Sequence, residues 1–238
     1  MNLWSKIAGW IEERIDVKSI INFLPIIYGE LDKRLELKEA LGKALKKPVP
    51  KHVNLFHCFG GITFLLFVIE IITGVLLALY YKPSPEEAFA SVKFITNEVT
   101  FGWLIRQVHA WGAQLMILMV ILHMLRVFFQ GAYKSPRELN WIVGVLLLFV
   151  TLTFGFTGYL LPWDQLSFWG TTVGTEVAGG VPLIGNFILI LLRGGENVTE
   201  DTLTRFYALH VLVLPWITAG LLALHFIMVR RQGIAGPL

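Results

Sequence analysis

The sequence predicts an all-α membrane protein: a four-helix transmembrane bundle with an amphipathic interfacial helix at its N-terminal end. Three observations predict it. The 238 residues are 55% hydrophobic and only 16% charged, which is the balance of a chain that lives in lipid. Four apolar stretches are long enough to cross a hydrocarbon core about 30 Å thick. Two of the four each carry a pair of histidines at nearly the same spacing: His109 with His123, and His210 with His225.

In chain order, residues 2–16 place Leu3, Trp4, Ile7, Trp10, Ile11 and Ile15 on one helical face, with polar residues opposite. Tryptophans with mixed charge suit a helix lying in the interface. Residues 30–47 read as a charged surface helix, broken at Gly42 and ended by Pro48 and Pro50. Residues 1–54 thus form an amphipathic and charged region, and 55–238 a four-span domain. The first span is 55–81. A polar loop over 82–102 leads to the second, 101–130, and a basic turn over 131–140 leads to the third, 141–161. The connection 162–205 is too polar and too broken by Gly and Pro to cross, and reads as a surface loop with short interfacial helices around 163–175 and 183–192. The fourth span is 206–229. The N-terminus has no apolar core followed by a small-residue cleavage site, so the first span is expected to serve as the insertion signal.

The histidines carry the chemistry. Fourteen helical steps return to within roughly 40° of the same face and rise about 21 Å, so one apolar helix holds an imidazole near each end of the membrane core. An unpaired polar group in lipid costs several kcal/mol, and an intramembrane ionisable residue is a functional candidate by default. A lone histidine in an apolar helix is usually satisfied by a neighbour. Four, paired at matching depth on two spans, instead fit the two axial positions of each of two stacked haem irons. Arg106 and Arg126, three residues outside His109 and His123, would hold haem propionates. The first and third spans carry Gly60 and Gly74, and Gly144 and Gly158, again 14 apart. They would leave room for a flat macrocycle at each depth, unless they serve only helix packing. Glu70, mid-span, should face the bundle interior, either as structural polar glue or as a proton-handling group.

Charge sets the orientation. The side bearing both termini and the 131–140 turn has 15 Lys and Arg against 8 acidic residues; the other side has 5 against 8. The positive-inside rule puts the termini on the cytoplasmic or stromal, negative side (n-side). His123 and His225 then lie near that side, and His109 and His210 near the outer, positive side (p-side). The whole-chain excess of +3 says little by itself, and no nucleic-acid partner is expected. The one cysteine excludes an intrachain disulfide.

Five segments resemble a known family: HVNLFHCFGGIT (52–63), FGWLIRQVHAW (101–111), GYLLPWDQLSFWG (158–170), TLTRFYALHVLVLP (202–215) and RRQGIAGPL (230–238). They are similar to cytochrome b, and most to its short, split b6 form found in b6f-type quinol oxidoreductase complexes. The resemblance runs from about residue 48 to the end, and weakly over 4–16. It implies that His109 and His210 ligate a p-side haem b, and His123 and His225 an n-side haem b. It implies that Cys58 makes a single thioether to an extra n-side haem c, with Arg230, Ile234 and Lys47 beside that haem and its quinone pocket. It implies that Pro162, Trp163, Phe168, Gly170 and Val173 line part of a quinol-oxidation site. The other wall would come from a second subunit equivalent to the rest of cytochrome b, so this chain would not oxidise quinol alone. A Rieske iron–sulfur protein and a c-type cytochrome would complete a homodimeric complex in a bacterial inner or thylakoid membrane. Two departures stand out: residues 17–47 are longer than the family's usual N-terminal region, and Glu70 stands where the family usually has glutamine. The competing reading is a dihaem membrane anchor of a dehydrogenase or hydrogenase passing electrons to quinone, which would lack the PWDQ segment and the cysteine. A haem-free membrane scaffold or transporter is a third.

Overall fold

A computed structural model describes residues 50–236. The chain divides after Lys51 into two units, of which the second, His52–Leu238, is compact. The expectations for residues 2–47, including the interfacial helix and Lys47, fall outside the described residues. Among those described, the second unit is helical throughout.

It opens on a single 3₁₀ turn, Leu55–Cys58. The Asn54 side chain accepts from the Phe56 N–H at 3.2 Å, and the His57 ring accepts from the Asn54 N–H at 3.2 Å, so the free donors of the turn are satisfied. Helix α1 follows, Phe59–Ala78. The sequence reading leaves 82–102 as a polar loop, but the structure forms a helix there, α2, Ala88–Asn97. Its signal is short: Ala88, Ser91 and Ile95 recur at helical spacing and are buried, while Phe89 and Phe94 stay exposed on the other faces. Next come α3, Gly102–Phe129, and α4, Glu138–Leu160. Two short helices fill the long connection, α5, Gln165–Gly179, and α6, Gly185–Arg193. The last span starts earlier than the apolar run suggests: α7, Glu200–Ala208, continues through one π-helical turn, Leu209–Val213, into α8, Leu214–Gln232. Among the described residues, four helical runs are long and apolar enough to cross a membrane, Leu55–Ala78, Gly102–Phe129, Glu138–Leu160 and Glu200–Gln232.

The π turn has a cause and a consequence. Pro215 has no N–H to offer the carbonyl of Val211, so the regular ladder cannot continue there. A π turn accommodates one extra residue. The 15-residue spacing of His210 and His225 therefore keeps step with the 14-residue spacing of His109 and His123.

Helix α1 packs along α3, α8 along α4, and α3 against α4. Leu65, Val75, Leu118, Phe149 and Trp216 remain exposed on the outside, as a lipid-facing surface requires. One end is capped by α5, α6 and α7. Asp164 caps α5 by accepting from the Ser167 N–H at 2.8 Å. Arg193, 2% exposed, fastens α6 to α5: Nε donates to Thr175 Oγ1 at 2.7 Å, Nη2 donates to the Thr172 carbonyl at 2.9 Å, and Nη2 also pairs with Glu176 Oε1 at 2.9 Å. Beneath this cap Ala88, Leu160, Val198, Leu203 and Phe206 form a buried cluster.

Candidate functional site

The four histidines meet in two pairs across the bundle. The His109 and His210 ring centres are 6.3 Å apart with planes at 74°, and those of His123 and His225 are 6.5 Å apart at 78°. The rings of a pair do not hydrogen-bond to each other. Two metal–imidazole bonds of about 2.0–2.1 Å in line, each extended by roughly 1.1 Å from nitrogen to ring centre, put the centres about 6.3 Å apart. Both pairs have the separation of imidazoles that share one metal ion.

The glycines explain how the rings get there. The room they leave, expected to serve a macrocycle or helix packing, is first occupied by an imidazole from the neighbouring helix. A Cβ on Gly60 would stand 3.0 Å from the His123 ring, on Gly74 3.3 Å from His109, on Gly144 3.7 Å from His225, and on Gly158 2.6 Å from His210. Antiparallel packing makes this work: α1 seats both rings of α3, and α4 seats both rings of the last span. Each imidazole lies with an edge against bare backbone.

Two threonines that sequence reasoning missed orient one pair. Thr73 Oγ1 donates to the Ile69 carbonyl at 2.7 Å, so its lone pair accepts the His109 Nδ1–H at 2.9 Å. Thr157 repeats this with the Thr153 carbonyl at 2.8 Å and His210 Nδ1 at 3.1 Å. A proton held on Nδ1 leaves Nε2 as the free lone pair, the tautomer a metal needs. The signal was present: threonine immediately precedes glycine at 73–74 and 157–158, but not at 59–60 or 143–144. His123 and His225 accordingly have no hydrogen-bond partner on Nδ1. Glu70 does face the interior, with Oε2 2.9 Å from His109 Nδ1.

Beside His123 and His225 lies a cavity of about 340 Å³, lined also by Gly60, Gly144, Arg126, Arg137, Asn140 and Ile234. Arg126 Nε, Arg137 Nε and Asn140 Oδ1 are buried around it without partners. Buried polar atoms are normally satisfied, so three orphans at one cavity mark a place for a polar ligand group. An apolar cavity with two imidazoles and two guanidinium groups at its edge fits a flat macrocycle bearing carboxylates. Arg137 and Asn140 escaped the sequence reading because they sit in what looked like an ordinary basic turn.

A family model described as Cytochrome b/b6/petB matches residues 44–233. The chain belongs to the cytochrome b family. It is 51% identical over 212 residues to cytochrome b6 of Euglena gracilis, covering 89% of this chain and 99% of that protein. It is 50% identical to cytochrome b6 of Synechocystis sp., covering 89% of this chain and 96% of that one. Among solved structures, a chain of a hyperthermophilic respiratory complex III aligns with TM-score 0.82 and 39% identity, covering 88% of this chain and 56% of that chain. The fold is that of cytochrome b, and the protein is a multi-pass membrane protein.

The other residues predicted for the site in this cytochrome b chain fall in several places. Arg126 and Ile234 are at the cavity, whereas Arg230 is exposed and does not line it. Arg106 is half-buried one turn before His109. Cys58 is exposed, at the end of the turn whose His57 lines the cavity. His52 Nε2, 2.8 Å from the Ala235 carbonyl, ties that turn to the C-terminal residues. Pro162, Trp163, Phe168, Gly170 and Val173 divide between two environments. Trp163 and Phe168 pack edge to face at 5.6 Å against the buried cluster, while Gly170 and Val173 are exposed on α5. Trp163 holds φ at 51°, a left-handed conformation that is strained for a bulky residue.

Proposed function

We propose that this chain is the dihaem subunit of a quinol oxidoreductase complex and carries electrons across the membrane. The observation that carries the reading is the pair of imidazole couples at metal-bridging separation, set at two depths about 21 Å apart. Haem b, when bound, supplies a one-electron carrier at each depth. His109 and His210 hold the p-side group and His123 and His225 the n-side one, with Arg106 and Arg126 on the propionates. Thr73 and Thr157 keep Nε2 of the p-side rings free.

In this reading the complex oxidises a quinol at the p-side. One electron passes to a Rieske-type partner and then a c-type carrier; the other crosses to an n-side quinone, and the protons leave on the p-side. Pro162, Trp163, Phe168, Gly170 and Val173 form one wall of the oxidation site, and the strained Trp163 backbone is the kind of feature that accumulates at such walls. A second subunit, equivalent to the remainder of a long cytochrome b, provides the other wall, in line with this chain spanning 56% of the complex III chain. Cys58 forms the thioether to a further haem on the n-side, near Ile234 and Arg230. The termini face the cytoplasm or stroma, in a bacterial inner or thylakoid membrane, and the complex is a homodimer.

The test is a pyridine haemochrome assay with an optical redox titration of the purified complex. Two b-type haems per chain, titrating separately, are expected. A colourless, correctly assembled protein would end the proposal.

A further inference from the structure

We propose that Glu70 is a positioning residue for His109: its carboxyl group accepts the imidazole Nδ1–H and lowers the reduction potential of the p-side haem. This rests on the dihaem reading above. Glu70 lies on α1, one turn before Gly74, with its side chain 12% exposed. Its Oε2 is 2.9 Å from His109 Nδ1, the same distance as Thr73 Oγ1. The single Nδ1–H is therefore shared between two acceptors from one helix. Room for the carboxyl comes from α3: a Cβ on Gly112 would collide with Glu70 Oε1.

The arrangement is unique among the four imidazoles. None of the other three has a carboxyl group there: His210 has the Thr157 hydroxyl on Nδ1, and His123 and His225 have no side-chain partner. A carboxyl acceptor on the remote nitrogen of a metal-bound imidazole makes the coordinating nitrogen more basic. A hydrogen bond to a charged acceptor is roughly twice as strong as one to a neutral acceptor, and more so in a low-dielectric interior. A more basic ligand favours the oxidised iron, which carries one more positive charge. The effect therefore falls on one haem of the two and has a definite sign.

The experiment is an optical redox titration of the whole complex carrying Glu70→Gln, which keeps size and an acceptor oxygen but replaces the carboxyl group by an amide. At fixed ambient potential the ferric-to-ferrous ratio of the p-side haem should fall roughly tenfold, a rise in midpoint of about 59 mV for one electron, with the n-side haem unmoved. The low-spin electron paramagnetic resonance signal of the p-side haem should shift with it. Thr73→Val is the companion variant. It removes the competing acceptor and leaves the N–H wholly to Glu70, so the p-side midpoint should move down. An unchanged p-side midpoint in Glu70→Gln with both haems present would overturn the proposal, as would a rise in Thr73→Val. Absence of haem from the unsubstituted complex would instead overturn the dihaem reading.

Discussion

Gly158 and His210 touch so closely that no side chain fits between them: a Cβ at 158 would stand 2.6 Å from the ring. Gly158→Ala should therefore push His210 out of line and cost the p-side haem. Gly144→Ala, whose Cβ would meet His225 at an ordinary 3.7 Å, should load both haems. Haemochrome content and reduced-minus-oxidised difference spectra of the two variants measure this, and equal losses would show that ring seating is not what the glycines provide.

Thr157→Val should leave the His210 Nδ1–H without its hydroxyl acceptor. Leaving a buried donor unpaired costs about 1–3 kcal/mol, and Thr157→Ser should restore most of it. Haem retention of the p-side site under graded guanidinium, compared between Val and Ser, reads the difference.

His123→Leu should remove the n-side haem signal and spare the p-side one, because the two pairs share no ring. Cys58→Ser should keep both b-type signals and abolish haem staining of this chain on a denaturing gel. Optical titration and the stained gel check these separately, and staining that persists in Cys58→Ser would refute the thioether.

Arg193→Met should loosen the cap over one end of the bundle without touching the imidazoles. It strips partners from the Thr175 hydroxyl and the Thr172 carbonyl, a loss of roughly 2–4 kcal/mol. Faster proteolysis between α5 and α7, with the haem spectra intact, is the expected signature.

Much of this was legible beforehand. The spans follow from apolar length, and the four histidines from being costly where they stand. Helix α2 was hidden because its buried face consists of Ala88, Ser91 and Ile95, small or polar residues that raise no apolar pattern. The early start of the last span was hidden for a related reason: α7 is amphipathic, burying Thr202, Leu203 and Phe206 while exposing charge. The five residues proposed as a quinol-site wall read as one segment, yet their side chains part company, since a helix turns successive positions to different faces.

Taken alone, the sequence determined that four apolar helices span the membrane and that two of them carry an imidazole at each of two depths, because lipid leaves a chain few ways to satisfy its backbone and few reasons to bury a histidine. Only the tertiary structure decided what each imidazole touches. Antiparallel pairing set Gly60 behind His123 and Gly158 behind His210, and a π turn before Pro215 brought a 15-residue spacing into step with one of 14. It alone put Thr73 and Glu70 on the same ring nitrogen. Contacts between helices depend on rotation and depth, and neither is written in the spacing along one helix.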